Sequence, residues 1–315
     1  RLSGTQSVEE AFATIRAAPP EIETLSDLYV TDGGRHDFEK LVGVISLRDL
    51  VRAAPNARIA QVMTPEPITV TVDTDQEIVA QTIGKYDFSA IPVLDRNGSL
   101  VGIVTVDDVV DVLVEEQTED ALKQGGVGTD ALNLPYFSVP IWRVVRSRVP
   151  WLAMLFVASL LTTVVLDENQ SELNKVPALS FFFTLLVGTG GNAGAQTVST
   201  VIRAMSVGEV RGRDALRVLW KELGNGFLLG ALLAVIAFIR AYTLEKRLDF
   251  SLVVALTVWA ICAWSNVLAS MIPLAAQRFK IDPALVSSPL ITTLVDTTGL
   301  FIYLMIARAI LSELR

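Results

Sequence analysis

Asp296 is the one acid in the apolar run 283–307. Read as a helix, that run places the carboxylate about 20 Å past Pro283, near half-depth in a bilayer. A charge there costs about 2.5 to 3.5 kcal/mol on insertion scales, so it has to face protein, water or an ion. Its neighbours Thr292, Thr293, Thr297, Thr298 and Gly299 make that side of the run polar and narrow. A cation site accounts for them better than an aspartate satisfied by threonine hydroxyls. The run 176–202 has the complementary oddity, Gly188-Thr189-Gly190-Gly191-Asn192-Ala193-Gly194-Ala195-Gln196. Each glycine weakens a helix by about 1 kcal/mol, so the cluster implies close backbone approach or a broken helix. Gly190 and Gly194 suit helix packing, but packing does not explain Asn192 and Gln196 on one helical face. A third feature is the acidic stretch Asp107, Asp108, Asp111, Glu115, Glu116, Glu119 and Asp120. On a helix, several of these are like-charge pairs four residues apart, a repulsion that either solvent or divalent cations would relieve.

Composition narrows the chemistry. The 315 residues are 51% hydrophobic, with mean hydropathy +0.47, which argues against a purely cytosolic enzyme. Residues 1–130 carry 23 Asp and Glu against 10 Lys and Arg, and residues 131–315 carry 11 against 16. The second part is only mildly basic, so nucleic-acid binding is not expected. With one cysteine, Cys262, and one histidine, His36, an intrachain disulfide and thiolate or imidazole metal clusters are excluded. Carboxylate and carbonyl oxygens remain, and these suit hard ions. The chain opens on Arg1 without a basic-then-apolar leader, and reads as a shortened form of a longer protein without a signal peptide.

Five apolar runs must position these groups: 149–166, 176–202, 223–239, 250–277 and 283–307. Each is long enough to cross hydrocarbon as a helix. With the N-terminal part cytosolic, inside segments hold ten Lys and Arg against six outside, which favours that orientation and places the C-terminus outside. Gln124-Gly125-Gly126-Val127-Gly128 reads as a hinge, and 141–148, with Arg143, Arg146 and Arg148, as an approach segment at the headgroups. Before the runs, residues 41–51 recur as 100–110, 59 positions later. In each copy a β-branched strand turns into a helix. Helical spacing at 8–16 and 77–86 and strands at 27–31 and 90–95 complete an α-β-β-α unit made twice.

That repeat resembles the paired CBS module through Gly43, Ser46 and Asp49 and through Gly102, Thr105 and Asp108. In nucleotide-binding CBS pairs the hydroxyl faces phosphate and the aspartate holds ribose. The resemblance therefore offers ATP or another adenine nucleotide a place at Ser46, Asp49, Thr105 and Asp108. The residues by themselves also suit plain helix capping.

Pro177-Ala178-Leu179 leading to the glycine run, and Asp282-Pro283-Ala284-Leu285-Val286-Ser287-Ser288-Pro289-Leu290 leading to Asp296 and Gly299, resemble the MgtE magnesium transporter family. The resemblance implies an α+β cytosolic CBS pair (1–62 and 63–120), a connecting plug-like helix and linker (121–148) and an all-α polytopic membrane domain of five transmembrane helices (149–315). It also implies a homodimer in the lipid bilayer of the bacterial inner (plasma) membrane, with the ion path on the two-fold axis. Asp296 and the carbonyl of Thr292 would meet Mg²⁺. Gly188, Gly191, Asn192, Ala195, Gln196 and Ser288 would line the pore. Regulatory Mg²⁺ would sit on Asp75, Glu77, Asp87, Asp108, Asp111, Glu116, Glu119, Asp120 and Asp282, and would close the pore. Family members often have Asn where this chain has Ala195 and Ser288, and the family's N-terminal acidic helical domain does not precede Arg1. The expected function is Mg²⁺ transport. Transport of Mn²⁺, Co²⁺ or Ca²⁺, a membrane enzyme acting on a lipid, and a nucleotide-sensing scaffold that passes no ions are the alternatives.

Overall fold

A computed structural model describes residues 1–19, 24–33, 39–128 and 135–314, and His36 lies outside them. The chain divides into two compact units, Arg1–Gln117 and Thr118–Arg315.

The first unit begins with strand β1 (Leu2–Ser3), helix α1 (Val8–Arg16), strands β2 (Asp27–Thr31) and β3 (Leu41–Ser46), helices α2 (Leu47–Arg52) and α3 (Ile59–Val62), and β4 (Thr64–Pro65). The second copy comprises β5 (Val70–Thr71), α4 (Gln76–Tyr86), β6 (Ala90–Leu94) and β7 (Leu100–Thr105), followed by α5 (Val106–Gln124). The short strands β1, β4 and β5 extend the α-β-β-α unit read from the sequence into sheets ordered β1-β2-β3-β4 and β5-β6-β7. Register repeats with the sequence: Val30 faces Gly43, and Val93 faces Gly102. The first glycine is required by β4, because a Cβ on Gly43 would stand 3.0 Å from the backbone oxygen of Thr64, and 2.4 Å from the sulfur of the preceding Met63. Among the described residues Gly102 has no fourth strand beside it, and open space surrounds it. Each copy has its own core, Val8, Ile45, Leu50 and Ile59 in one, Val79, Ile83, Ile91 and Val109 in the other. Helix α1 starts where the Ser7 hydroxyl accepts from Glu10 N and the Glu10 carboxylate accepts from Ser7 N, so each end satisfies the other's orphan amide.

The second unit holds α6 (Ile141–Glu168), α7 (Gln170–Lys175), α8 (Ala178–Ser206), α9 (Ala215–Glu245), α10 (Leu248–Arg278) and α11 (Ser288–Ile310). The helices α6, α8, α9, α10 and α11 are long and apolar enough to cross a membrane. Two details correct the sequence reading, and one decides between its alternatives. First, α6 starts at Ile141 and carries Pro150 inside, so the three arginines belong to the spanning helix, exposed along its first turns. Second, α8 runs unbroken through its glycines, which leaves close approach as their reason. A Cβ on Gly190 would stand 2.3 Å from Ile261 Cγ2, and one on Gly194 2.6 Å from Ser265 Oγ. Third, Pro283–Leu285 forms only a 3₁₀ turn, with Asp282 accepting from Ala284 N, and α11 starts after Ser287, whose hydroxyl accepts from Leu290 N. Asp296 is therefore eight residues from the helix start, about 12 Å rather than 20 Å.

The helices α9 and α10 approach backbone to backbone. Cβ atoms on Gly226 and Gly230 would meet the carbonyl oxygens of Cys262 at 2.7 Å and Trp259 at 2.8 Å. Around this pair Leu179, Phe182, Leu186, Ile261, Val295 and Tyr303 form one buried cluster.

Candidate functional site

Asp296 stands on the half-buried side of α11, and its Oδ1 is buried without a hydrogen-bond partner. The neighbouring threonines do not satisfy it, because their hydroxyls are used elsewhere. Thr292 donates to Ser288 O at 3.1 Å and Thr293 to Pro289 O at 3.0 Å. Thr297 exchanges a 2.7 Å bond with Thr162 of α6, and Thr298 accepts from Trp264 Nε1 at 3.0 Å. A buried carboxylate oxygen without a donor is costly, so the geometry favours a cationic or aqueous neighbour.

Of the pore-lining candidates, Gly191 is brought directly to Thr292: a Cβ on it would lie 2.9 Å from Thr292 Cγ2. The helices α8 and α11 cross there. Ala195 and Ser288 are half-buried, and Gly188, Asn192 and Gln196 are exposed on α8, on a face its own chain leaves uncovered.

The acidic candidates are dispersed. Asp75 caps α4 by accepting from Glu77 N, Asp87 ends the same helix in a left-handed conformation (φ 53°), and Glu77 accepts from Gln81. Glu116 accepts from Gln76 at 2.6 Å. Asp108, Asp111 and Asp120 stand on α5. Glu119 and Asp282 share one cation, the Lys123 ammonium, 2.6 Å from each. Burial opposes charge on Lys123, but hydrogen bonds to Asp282 and Glu119 outweigh it and hold the ammonium above the ordinary lysine range. Among the described residues, no three acidic, histidine or cysteine side chains are grouped to hold a metal.

In the repeat, Ser46 caps α2 by accepting from Asp49 N at 3.1 Å, and its hydroxyl donates to Asp49 Oδ2 at 2.7 Å. Both line a cleft of about 770 Å³ with Ser26, Asp27, Arg52 and Ser89. Thr105 repeats the bond to Asp108 at 3.0 Å, but neither residue lines that cleft. The Thr105 hydroxyl also holds the Asp107 carboxyl below the usual carboxylate value.

Residues 183–306, which carry Asp296 and the glycine run, match the family model described as a divalent cation transporter, MgtE. Residues 2–56 and 59–115 match the CBS domain. Over 308 residues, 97% of its length, the chain is 42% identical to the magnesium transporter MgtE of Thermus thermophilus. It is 33% identical to that of Bacillus subtilis over 98% of its length.

The chain belongs to the MgtE family.

It spans 66% of the length of each of these two transporters, just under two thirds. A solved cytosolic domain of the Mg²⁺ channel MgtE in complex with ATP is 46% identical over 35% of this chain and 43% of that one, with a TM-score of 0.33. This MgtE-family chain also holds polar features that sequence reasoning missed. Trp151 Nε1 donates to Ser287 Oγ at 2.9 Å, pinning the start of α11 to α6. Ser265 donates to Gly190 O at 2.6 Å. Glu222, Asn225 and Asn266 gather between α9 and α10. The spacing of Glu222 and Asn225, three apart on one helical side, was the available signal.

Proposed function

We propose that this chain is the CBS-bearing, membrane-spanning part of a homodimeric Mg²⁺ channel or transporter of the bacterial inner membrane. The observation that carries the reading is the buried, unpartnered carboxylate oxygen of Asp296 on a membrane helix whose threonine hydroxyls are already engaged. One carboxylate replaces little of a Mg²⁺ hydration shell. Two copies across a two-fold axis balance the ion's charge, with waters retained between ion and protein. Asp296 and the Thr292 carbonyl form the pore site, and Gly188, Gly191, Asn192, Ala195, Gln196 and Ser288 line the path. Exposure of Asn192 on an apolar helix supports this, since an amide is costly against lipid and inexpensive against water or a second copy.

In the same reading the N-terminal part is cytosolic, following the bias in Lys and Arg. Mg²⁺ on Asp75, Glu77, Asp87, Asp108, Asp111, Glu116, Glu119, Asp120 and Asp282 closes the pore by relieving like-charge repulsion. At Glu119 and Asp282 the ion competes with the Lys123 ammonium. An adenine nucleotide binds beside Ser46 and Asp49, where the cleft and Arg52 offer phosphate a place, with Thr105 and Asp108 the equivalent pair of the second copy.

Ion flux into proteoliposomes, with internal Mg²⁺ varied, tests transport and feedback together. Asp296→Ala is expected to abolish Mg²⁺ uptake, and parent uptake to fall as internal Mg²⁺ rises. Unchanged uptake by the variant refutes the pore assignment. Parallel arms with Mn²⁺, Co²⁺ and Ca²⁺ identify the cargo.

A further inference from the structure

An open groove of about 360 Å³ lies between α8, α9 and α10, lined by Gln196, Thr197, Thr200, Glu222, Asn225, Asn266 and three leucines, with Thr197, Glu222 and Asn266 buried at its base. Its polar lining is rich in acceptors. Glu222 is 8% exposed, and its carboxylate accepts from Asn225 Nδ2 at 3.0 Å. Among the described residues it has no ion pair, and none of the lining residues is basic. Facing the same groove is Asn266, 1% exposed, whose Oδ1 is buried without a partner. The groove is open at Gln196, Thr200 and Asn225, but the Asn225 amide is the one donor the Glu222 carboxylate is given, and the buried Asn266 Oδ1 facing it is given none, so the two oxygens raise each other's energy. Buried charges are ordinarily paired or ligate a metal.

We propose that Glu222, Asn266 and Gln196, with the Thr197 and Thr200 hydroxyls, form a second cation site, for a monovalent alkali ion of the sodium type. The donor set is oxygen only, which selects a hard ion. Its formal charge is a single carboxylate. A monovalent ion neutralises that charge, whereas a divalent ion would leave an uncompensated charge beside Leu228, Leu229 and Leu232. The Thr200 hydroxyl donates to Gln196 O at 2.8 Å, so its lone pairs stay available to an ion. The volume exceeds that of a bare ion and leaves room for several waters at about 30 Å³ each. Gln196 is the residue this site shares with the proposed pore lining, so the ion would sit beside the α8 face that carries Asn192. Asp296 is not among the lining residues.

The test is thermal unfolding of the full chain in detergent with EDTA, titrating NaCl against N-methylglucamine chloride at constant ionic strength. Sodium is expected to raise the melting temperature saturably in the parent and equally in Asp296→Asn, which separates this site from the pore site. Glu222→Gln is expected to abolish the response while unfolding, in sodium-free buffer, no earlier than the parent, because it removes an uncompensated buried charge. Asn266→Ala is expected to raise the half-saturating sodium concentration about tenfold, equivalent to about 1.4 kcal/mol. ²³Na line broadening by the parent and by Asn266→Ala gives the same comparison without unfolding. An equal sodium response in Glu222→Gln and the parent, no response in the parent, or a shift produced by MgCl₂ and not by NaCl would each overturn the proposal.

Discussion

Substituting Gly190 by alanine tests whether contact at the centre of the membrane helices, rather than glycine's flexibility, explains the α8 sequence. The added Cβ would lie 2.3 Å from Ile261 Cγ2 and 2.8 Å from Val295 Cγ1. Against an ordinary carbon contact of about 3.5 Å these distances fall short by about 1.2 Å and 0.7 Å. Ile261 and Val295 are fully buried, so neither can swing away. Moving α10 outward would break the 2.6 Å bond from Ser265 to Gly190 O. Overpacking costs about 1 to 3 kcal/mol, the strained hydrogen bond adds about 1, and the better helix former returns about 1. The net loss is about 1 to 3 kcal/mol. Unfolding of Gly190→Ala in detergent should register it. Gly224→Ala, on an α9 position with open space around it, should be neutral or stabilising by about 1 kcal/mol. Because Ile261→Ala removes the obstructing methyl, the double variant should be more stable than the two single losses together imply, by at least about 0.5 kcal/mol. Strict additivity, or a Gly190→Ala protein as stable as its parent, refutes the reasoning.

Three further outcomes are expected. Ser287→Ala removes a fully buried cap that also receives the Trp151 indole, and chemical unfolding should show a loss of about 1 to 2 kcal/mol. Asp95 is held below its ordinary value of 3.8, first by its hydrogen bond from Ser99 N, against desolvation, and then by bonds from Asn97 and Gly98. Its contribution is present above that ordinary value and is lost as pH falls toward the lower folded value, so Asp95→Ala should blunt the acid limb of a stability profile below about pH 4. Lys123→Gln should release Glu119 and Asp282, lowering stability by about 1 kcal/mol after solvent screening. It should also speed chymotryptic cleavage at the exposed Tyr136 and Phe137 in Mg²⁺-free buffer, with Mg²⁺ restoring protection. A cleavage rate indifferent to both changes counts against closure by the acidic region.

The strands and helices of the repeat were legible because β-branched runs, glycines and caps recur at a fixed spacing, and the membrane helices because apolar length alone identifies them. The start of α11 was misread because Pro283 is an ordinary helix-opening residue. Here Asp282 Oδ1 caps only a single 3₁₀ turn, and the Ser287 cap five residues later opens the real helix. The start of α6 was hidden because Arg143, Arg146 and Arg148 interrupt the apolar pattern without interrupting the helix, charges on an exposed helical side being tolerated there. Asp296 was visible as a lone acid, whereas its unsatisfied oxygen depends on where four threonine hydroxyls point. The bridge from Lys123 to Asp282 joins residues 159 positions apart, and Glu222 meets the Asn266 groove from a different helix. Such pairings arise from packing, which no local spacing records.

Only Lys246 and Arg247 separate α9 from α10, each 31 residues long. The turn is tight enough to need Lys246 in a left-handed conformation, φ 52°, and Arg247 is fastened to Asp249 and Glu313. Two helices so joined are held antiparallel from the turn onward, and the glycines that let their backbones touch make α9 and α10 a single hairpin, a rigid edge on which α8 and α11 rest.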